Sequence, residues 1–148
     1  MTPRILPKLA TAALTAIIAL APAHARQQAP AMKIRIVTAS EVALGELDDS
    51  AAARDFLALL PLKLTLTDYA ETEKISDLPG KLSTEGSPPG MTPVVGDIAY
   101  YAPWGNLAIF IRDFSHSRGL VKLGRITSGL RHIGRAGSVP VTIERMTD

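Results

Sequence analysis

Residues 96–129, GDIAYYAPWGNLAIFIRDFSHSRGLVKLGRITSG, decide the fold class of this chain. Ile98 to Ala102 reads as a strand, Pro103-Trp104-Gly105-Asn106 as a tight turn, and Leu107 to Ile111 as the returning strand. A polar loop from Asp113 to Gly119 carries His116 and leads into a third strand, Leu120 to Thr127. On that strand Val121 and Leu123 face one way, and the long arms of Lys122 and Arg125 the other. Neighbouring residues of a strand point to opposite faces, so one of Tyr100 and Tyr101 belongs to a core and the other to a surface or pocket.

The segments before this stretch follow the same logic. Lys33 to Thr38 alternates polar and apolar residues, and Val42 to Leu47 is its hairpin partner across Ala39-Ser40-Glu41. Asp49-Ser50 offers N-cap oxygens for a helix over Ala51 to Leu60. Ala52, Phe56, Leu59 and Leu60 form its apolar stripe, and Pro61 stops it. Leu62 to Thr67 is a strand with Leu62, Leu64 and Leu66 inward, followed by a polar turn over Asp68 to Ser76 in which Lys74-Ile75 pairs weakly at most. Leu78 to Val95, with Pro79, Pro88, Pro89, Pro93 and three glycines, reads as one long loop. Its length suits either a binding lid or a plain connector.

After the stretch, Ser128 to Gly134 has room for a second, single-turn helix. Val139 to Met146 is the last strand, with Val139, Val141 and Ile143 inward, and Pro140 marks it as an edge or a bulge. About seven short strands and one clear helix make a mainly β domain, a small barrel or sandwich. No strand–helix–strand alternation and no internal repeat occurs.

The first 25 residues read as a secretory signal. Arg4 and Lys8 form the positive start, Leu9 to Ala21 is uncharged and apolar, and Ala23-His24-Ala25 is a small-x-small cleavage site. The apolar run falls short of the roughly 20 residues of a membrane span, so no stable membrane anchor is expected after cleavage. Residues 26–32 read as a flexible lead-in, and 33–148 as one domain. With no cysteine, the chain can form no disulfide, and export points to a bacterial periplasm.

Without Arg4 and Lys8, fourteen Lys and Arg face fourteen Asp and Glu, so the mature domain is neutral. That argues against a nucleic-acid partner, which wants a basic footprint. The charge is segregated: Glu41 to Asp97 holds eleven acids against four bases, and Arg112 to Arg135 six bases against Asp113. Two readings follow, mutual neutralisation across the fold or an anion-attracting patch.

No phosphate-binding glycine loop and no G-x-S-x-G elbow is present; Gly119 to Gly124 (GLVKLG) lies along a strand. His116 and His132 are the mature chain's histidines, too few with no cysteine for a metal site, and no cofactor is expected. The candidate ligand-binding residues are Tyr101, Trp104, Phe110, Arg112, His116 and Arg125. Aromatic rings beside guanidinium groups bind a peptide carbonyl, a carboxylate or another ring. The competing reading is a core aromatic cluster with the arginines paired to Asp97 and Asp113.

Two segments carry a resemblance: FLALLPLKLTLTDYAETEKISDLPGKL (Phe56 to Leu82) and GDIAYYAPWGNLAIFIRDF…GLVKLGRITSG (Gly96 to Gly129). In them the chain resembles a bacterial cyclophilin-like family, small barrel domains of largely unknown function. The resemblance implies a closed β-barrel with one or two helices over its openings. True cyclophilins are proline isomerases, but their F-x-x-x-I-x-x-F-M-I-Q-G-G-D run is not found here, and Arg112, two residues after Phe110, is its nearest imitation. Isomerase catalysis needs an apolar proline pocket and a donor to the prolyl nitrogen, which weakens the amide resonance behind a barrier of about 18–20 kcal/mol. The expectation is therefore an exported domain that binds a small molecule or extended peptide without catalysis. The alternatives are a diverged proline isomerase and an interaction module for an exported enzyme.

Overall fold

The computed structural model describes residues 31–147. The segment read as a secretory signal, and nearly all of the lead-in after it, lie outside these residues. The strands are β1 (Met32–Val37), β2 (Val42–Leu47), β3 (Leu62–Tyr69), β4 (Glu73–Asp77), β5 (Gly90–Met91), β6 (Asp97–Tyr101), β7 (Asn106–Phe110), β8 (Ser117–Arg118), β9 (Leu120–Ser128) and β10 (Val139–Arg145). Helix α1 (Ala51–Ala58) follows β2, and the short α2 (Leu130–Ile133) follows β9.

Eight strands close into an antiparallel barrel in the order β1-β10-β3-β4-β7-β6-β9-β2, while β5 and β8 pair separately. Alternation along each strand drives the closure. Ile34 and Ile36, Leu62 and Leu66, Leu107 and Ile109, and Val139, Val141 and Ile143 are buried in one core. Leu64 is half-buried at its margin. Helix α1 adds Ala52, Ala53, Phe56 and Leu57 to the same core. Its N-cap is Ser50, whose Oγ accepts a hydrogen bond from the Ala53 amide at 3.1 Å. The helix ends at Ala58, two residues before the expected end, with Leu59 as its C-cap.

The polar stretch from Asp68 to Ser76 is not a turn but most of a hairpin. β3 runs on to Tyr69 and β4 begins at Glu73. Ala70 and Glu71, both at positive φ, make the reversal. Lys74 hid this strand, because it takes an inward position where alternation calls for an apolar residue. Its side chain is fully buried, and its ammonium donates to Asp68 Oδ1 (2.7 Å) and to the carbonyls of Arg135 (2.9 Å) and Gly137 (2.5 Å). Asp68 Oδ2 accepts from the Gly137 amide, so the pair ties the β3–β4 hairpin to the loop before β10.

Pro140 lies within a closed barrel, yet at a local edge. The ladder between β1 and β10 ends at Val37↔Thr142, so Pro140 has β3 (opposite Thr65) as its strand neighbour. On β9 a register shift opposite Ile98 and Ala99 inserts one residue. That bulge is why Lys122 and Arg125, three apart, are both exposed while Leu123 stays in the core.

A second, smaller core lies on the outer face of the barrel. Ala99 of β6, Ala108 and Phe110 of β7, and Leu120 of β9 are buried there with Ile75, Met91 and Tyr101 against them. The β5–β8 pair belongs to this side. The segments read as loops over Leu78 to Val95 and Asp113 to Gly119 therefore each hold two strand residues.

Candidate functional site

The outer face of β4, β7 and β6 is the floor of a cavity of about 320 Å³. Register places its parts. Tyr69 stands opposite Glu73, Glu73 opposite Phe110, Ile75 opposite Ala108, and Asn106 opposite Tyr101, which in turn faces Leu120. Phe114, Ser117 and Arg118, from the segment between β7 and β9, form another wall.

Trp104, at the tip of the β6–β7 hairpin, is 58% exposed. Its indole stands edge-to-face with Tyr69 (ring centroids 5.6 Å apart, 82° between planes) and with Tyr101 (5.3 Å, 80°). Tyr100, on the other face of β6, is buried in the barrel core, which settles the division between the two tyrosines.

Three of the six expected site residues meet here: Tyr101, Trp104 and Phe110. The other three do not. Arg112 sits in a separate depression with Asp68, Glu71 and Gly134, and forms no ion pair among the described residues. His116 lies near Thr92, with Nδ1 3.5 Å from its Oγ1, and beside Gly90. Arg125 is exposed on β9, in register with Glu46 of β2 and Asp97 of β6. Phe110 and Arg112 do not share a strand face, because β7 ends at Phe110. The expected arginine pairs with Asp97 and Asp113 are also not what forms. Asp97 takes Lys122 at 3.2 Å and the Val94 amide, and Asp113 accepts from the Val95 amide.

The cavity gains residues that sequence reasoning missed. Tyr69 and Glu73 belonged to a stretch read as turn, and Phe114 and Arg118 to one read as loop. Asn106 carries the most pointed chemistry. It is 3% exposed, its Nδ2 donates to the Leu107 carbonyl at 3.2 Å, and its Oδ1 has no hydrogen-bond partner among the described residues. A buried acceptor without a donor costs about 1–3 kcal/mol. Glu73 is half-buried, and burial pushes its carboxyl above its ordinary value of 4.5. The neighbouring Lys74 cannot relieve it, because that ammonium is spent on the opposite face.

Among the described residues no histidine lines the cavity, and Glu73 is the one carboxyl in its lining. Neither a nucleophile with its base nor a paired acid and base is assembled there. Among the described residues no group of three His, Asp or Glu side chains converges as a metal site requires.

A profile of the cyclophilin-like family matches residues 36–144. Among solved structures the chain is similar to the solution structure of a hypothetical protein from Archaeoglobus fulgidus. The two are 20% identical with a TM-score of 0.57, over 82% of this chain and 99% of that one. At that identity the likeness is one of fold. No curated protein matches the chain.

Proposed function

The chain belongs to the cyclophilin-like family, and from that premise we propose that it is an exported binding domain whose ligand, a small molecule or an extended peptide, sits in the outer-face cavity. The aromatic cavity with a buried acceptor, Asn106 Oδ1, that has no partner among the described residues carries this reading. Ligand sites are concave and mostly apolar, with a few polar groups that fix orientation. This cavity has that make-up: rings from Tyr69, Tyr101, Trp104, Phe110 and Phe114, with Asn106, Glu73 and Arg118 as its polar points. We prefer binding to proline isomerisation because the fold hosts functions without dictating one, and no isomerase motif maps onto the lining.

The binding residues in this proposal are Tyr69, Tyr101, Trp104, Asn106 and Phe110, with Arg118 in place of Arg112 and Arg125. The test is amide and aromatic NMR shift mapping while a fragment and peptide library is titrated. Perturbations should cluster on these residues, and Trp104→Ala should weaken any hit about tenfold or more. Hits that map elsewhere, or that bind Trp104→Ala as well as the parent protein, would overturn the placement.

A further inference from the structure

We infer that the cavity takes an organic cation, an alkylammonium group on an apolar stem that carries a second N–H donor near its other end. The inference rests on the reading of the cavity as a ligand site. Three independent features ask for the same partner.

The first is Glu73, a carboxyl in an aromatic-lined recess to which no donor among the described residues is hydrogen-bonded. Isolated charge in such a place is costly unless a counter-charge arrives. The second is the ring cluster. Trp104 stands between Tyr69 and Tyr101 with its plane nearly perpendicular to both. Ring faces carry negative potential, and cations bind over them. The third is Asn106 Oδ1, an acceptor whose partner must be a donor. An anion would oppose the first two features, and a neutral amide would answer the third alone.

Register sets the spacing. Glu73 is opposite Phe110, and Asn106 is at the other end of β7, four residues away. Their Cα atoms are therefore separated by on the order of 13 Å along the sheet. One ammonium cannot serve both groups, which is why the ligand needs a second N–H. A lysine residue in an extended peptide has this form, with its ammonium at Glu73 and a backbone N–H at Asn106. A free diamine has it too. Arg118, the cavity's own cation, lines the same recess from β8 but makes no ion pair or hydrogen bond with Glu73 among the described residues.

Trp104 is the chain's one tryptophan, so its fluorescence reports on this cavity directly. Three probes are titrated: Nα-acetyl-lysine N-methylamide, cadaverine, and the uncharged Nα-acetyl-norleucine N-methylamide. The expected result is saturable binding of at least one cationic probe, about tenfold or more tighter than the norleucine compound. Glu73→Gln should remove that preference, so that the cationic probes bind no more tightly than the norleucine compound. Circular dichroism melting confirms that the variant is folded, which is expected because it deletes a charge that has no partner among the described residues. Binding of the acetyl-lysine probe alone assigns the source to peptides, and of cadaverine alone to free amines. Equal binding of the norleucine compound, or an unchanged preference in Glu73→Gln, overturns the cation inference and leaves the pocket standing. No saturable response from any probe counts against both.

Discussion

Lys74 shows how one side chain can conceal and hold a structure at once. A fully buried ammonium is tolerable only when its protons are all satisfied, and here Asp68 and two carbonyls take them. Lys74→Met fills the space but leaves those acceptors without a donor. The variant should lose on the order of 3 kcal/mol in urea unfolding at neutral pH. The loss has a pH signature. The hydrogen bond from Lys74, then the Gly137 amide, holds the Asp68 carboxyl below its ordinary value of 3.8. A depressed carboxyl stabilises the fold above its unfolded pKa, and the benefit fades as pH falls through the lower folded pKa. The gap between parent and Lys74→Met should therefore be full above about pH 5 and narrow below pH 4. A gap that stays constant down to acid unfolding would show that the ion pair is not its source.

At the scale of elements, the barrel depends on close backbone approach where β2 meets β9. A Cβ on Gly124 would stand 2.1 Å from the Glu46 carbonyl oxygen and 2.7 Å from the Leu47 Cα. These are backbone atoms, so nothing can rotate aside. Gly124→Ala must push the two strands apart, and should cost about 3 kcal/mol, the upper end for overpacking, read from denaturant unfolding. A variant as stable as the parent would mean that the seam is looser than this spacing implies. The elements also differ in how far the sequence disclosed them. β1, β2, β3, β6, β7, β9, β10 and α1 were legible because each carries its own apolar period. β4 was not, since Lys74 breaks the alternation and Glu73, Ser76 and Asp77 read as turn. β5 and β8 are two residues each, too short for any period, and exist because Gly90 and Arg118 meet in space. Four of the cavity's lining residues were lost with them: Tyr69 and Glu73 on the β3–β4 hairpin, and Phe114 and Arg118 around β8. Arg112, beyond the end of β7, and Arg125, near the far end of β9, do not line the cavity.

At the scale of the whole molecule, the segregated charge meets across the fold. The acidic segment supplies β2 and ends on Asp97, the first residue of β6, and the basic segment supplies β9 between those two strands. Arg125 lies between Glu46 and Asp97 in register, Lys122 pairs with Asp97, and His132 Nδ1 is 2.5 Å from Glu41 Oε2. At these contacts the two segments meet with opposite charge, as the neutralisation reading expects, while no ion pair of Arg112, Arg118, Arg125, Arg131 or Arg135 occurs among the described residues. Mass spectrometry of the exported protein should find Arg26, or a residue close to it, at the N-terminus, and a retained Met1 would refute cleavage. Local periods in the chain sufficed for the mainly β class, the main helix and a closed barrel by resemblance, because alternation and capping act over a few neighbouring residues. The cavity was decided by tertiary structure alone. It is a product of register, which sets Glu73 beside Phe110 and Asn106 beside Tyr101, and no short-range pattern encodes which strands become neighbours.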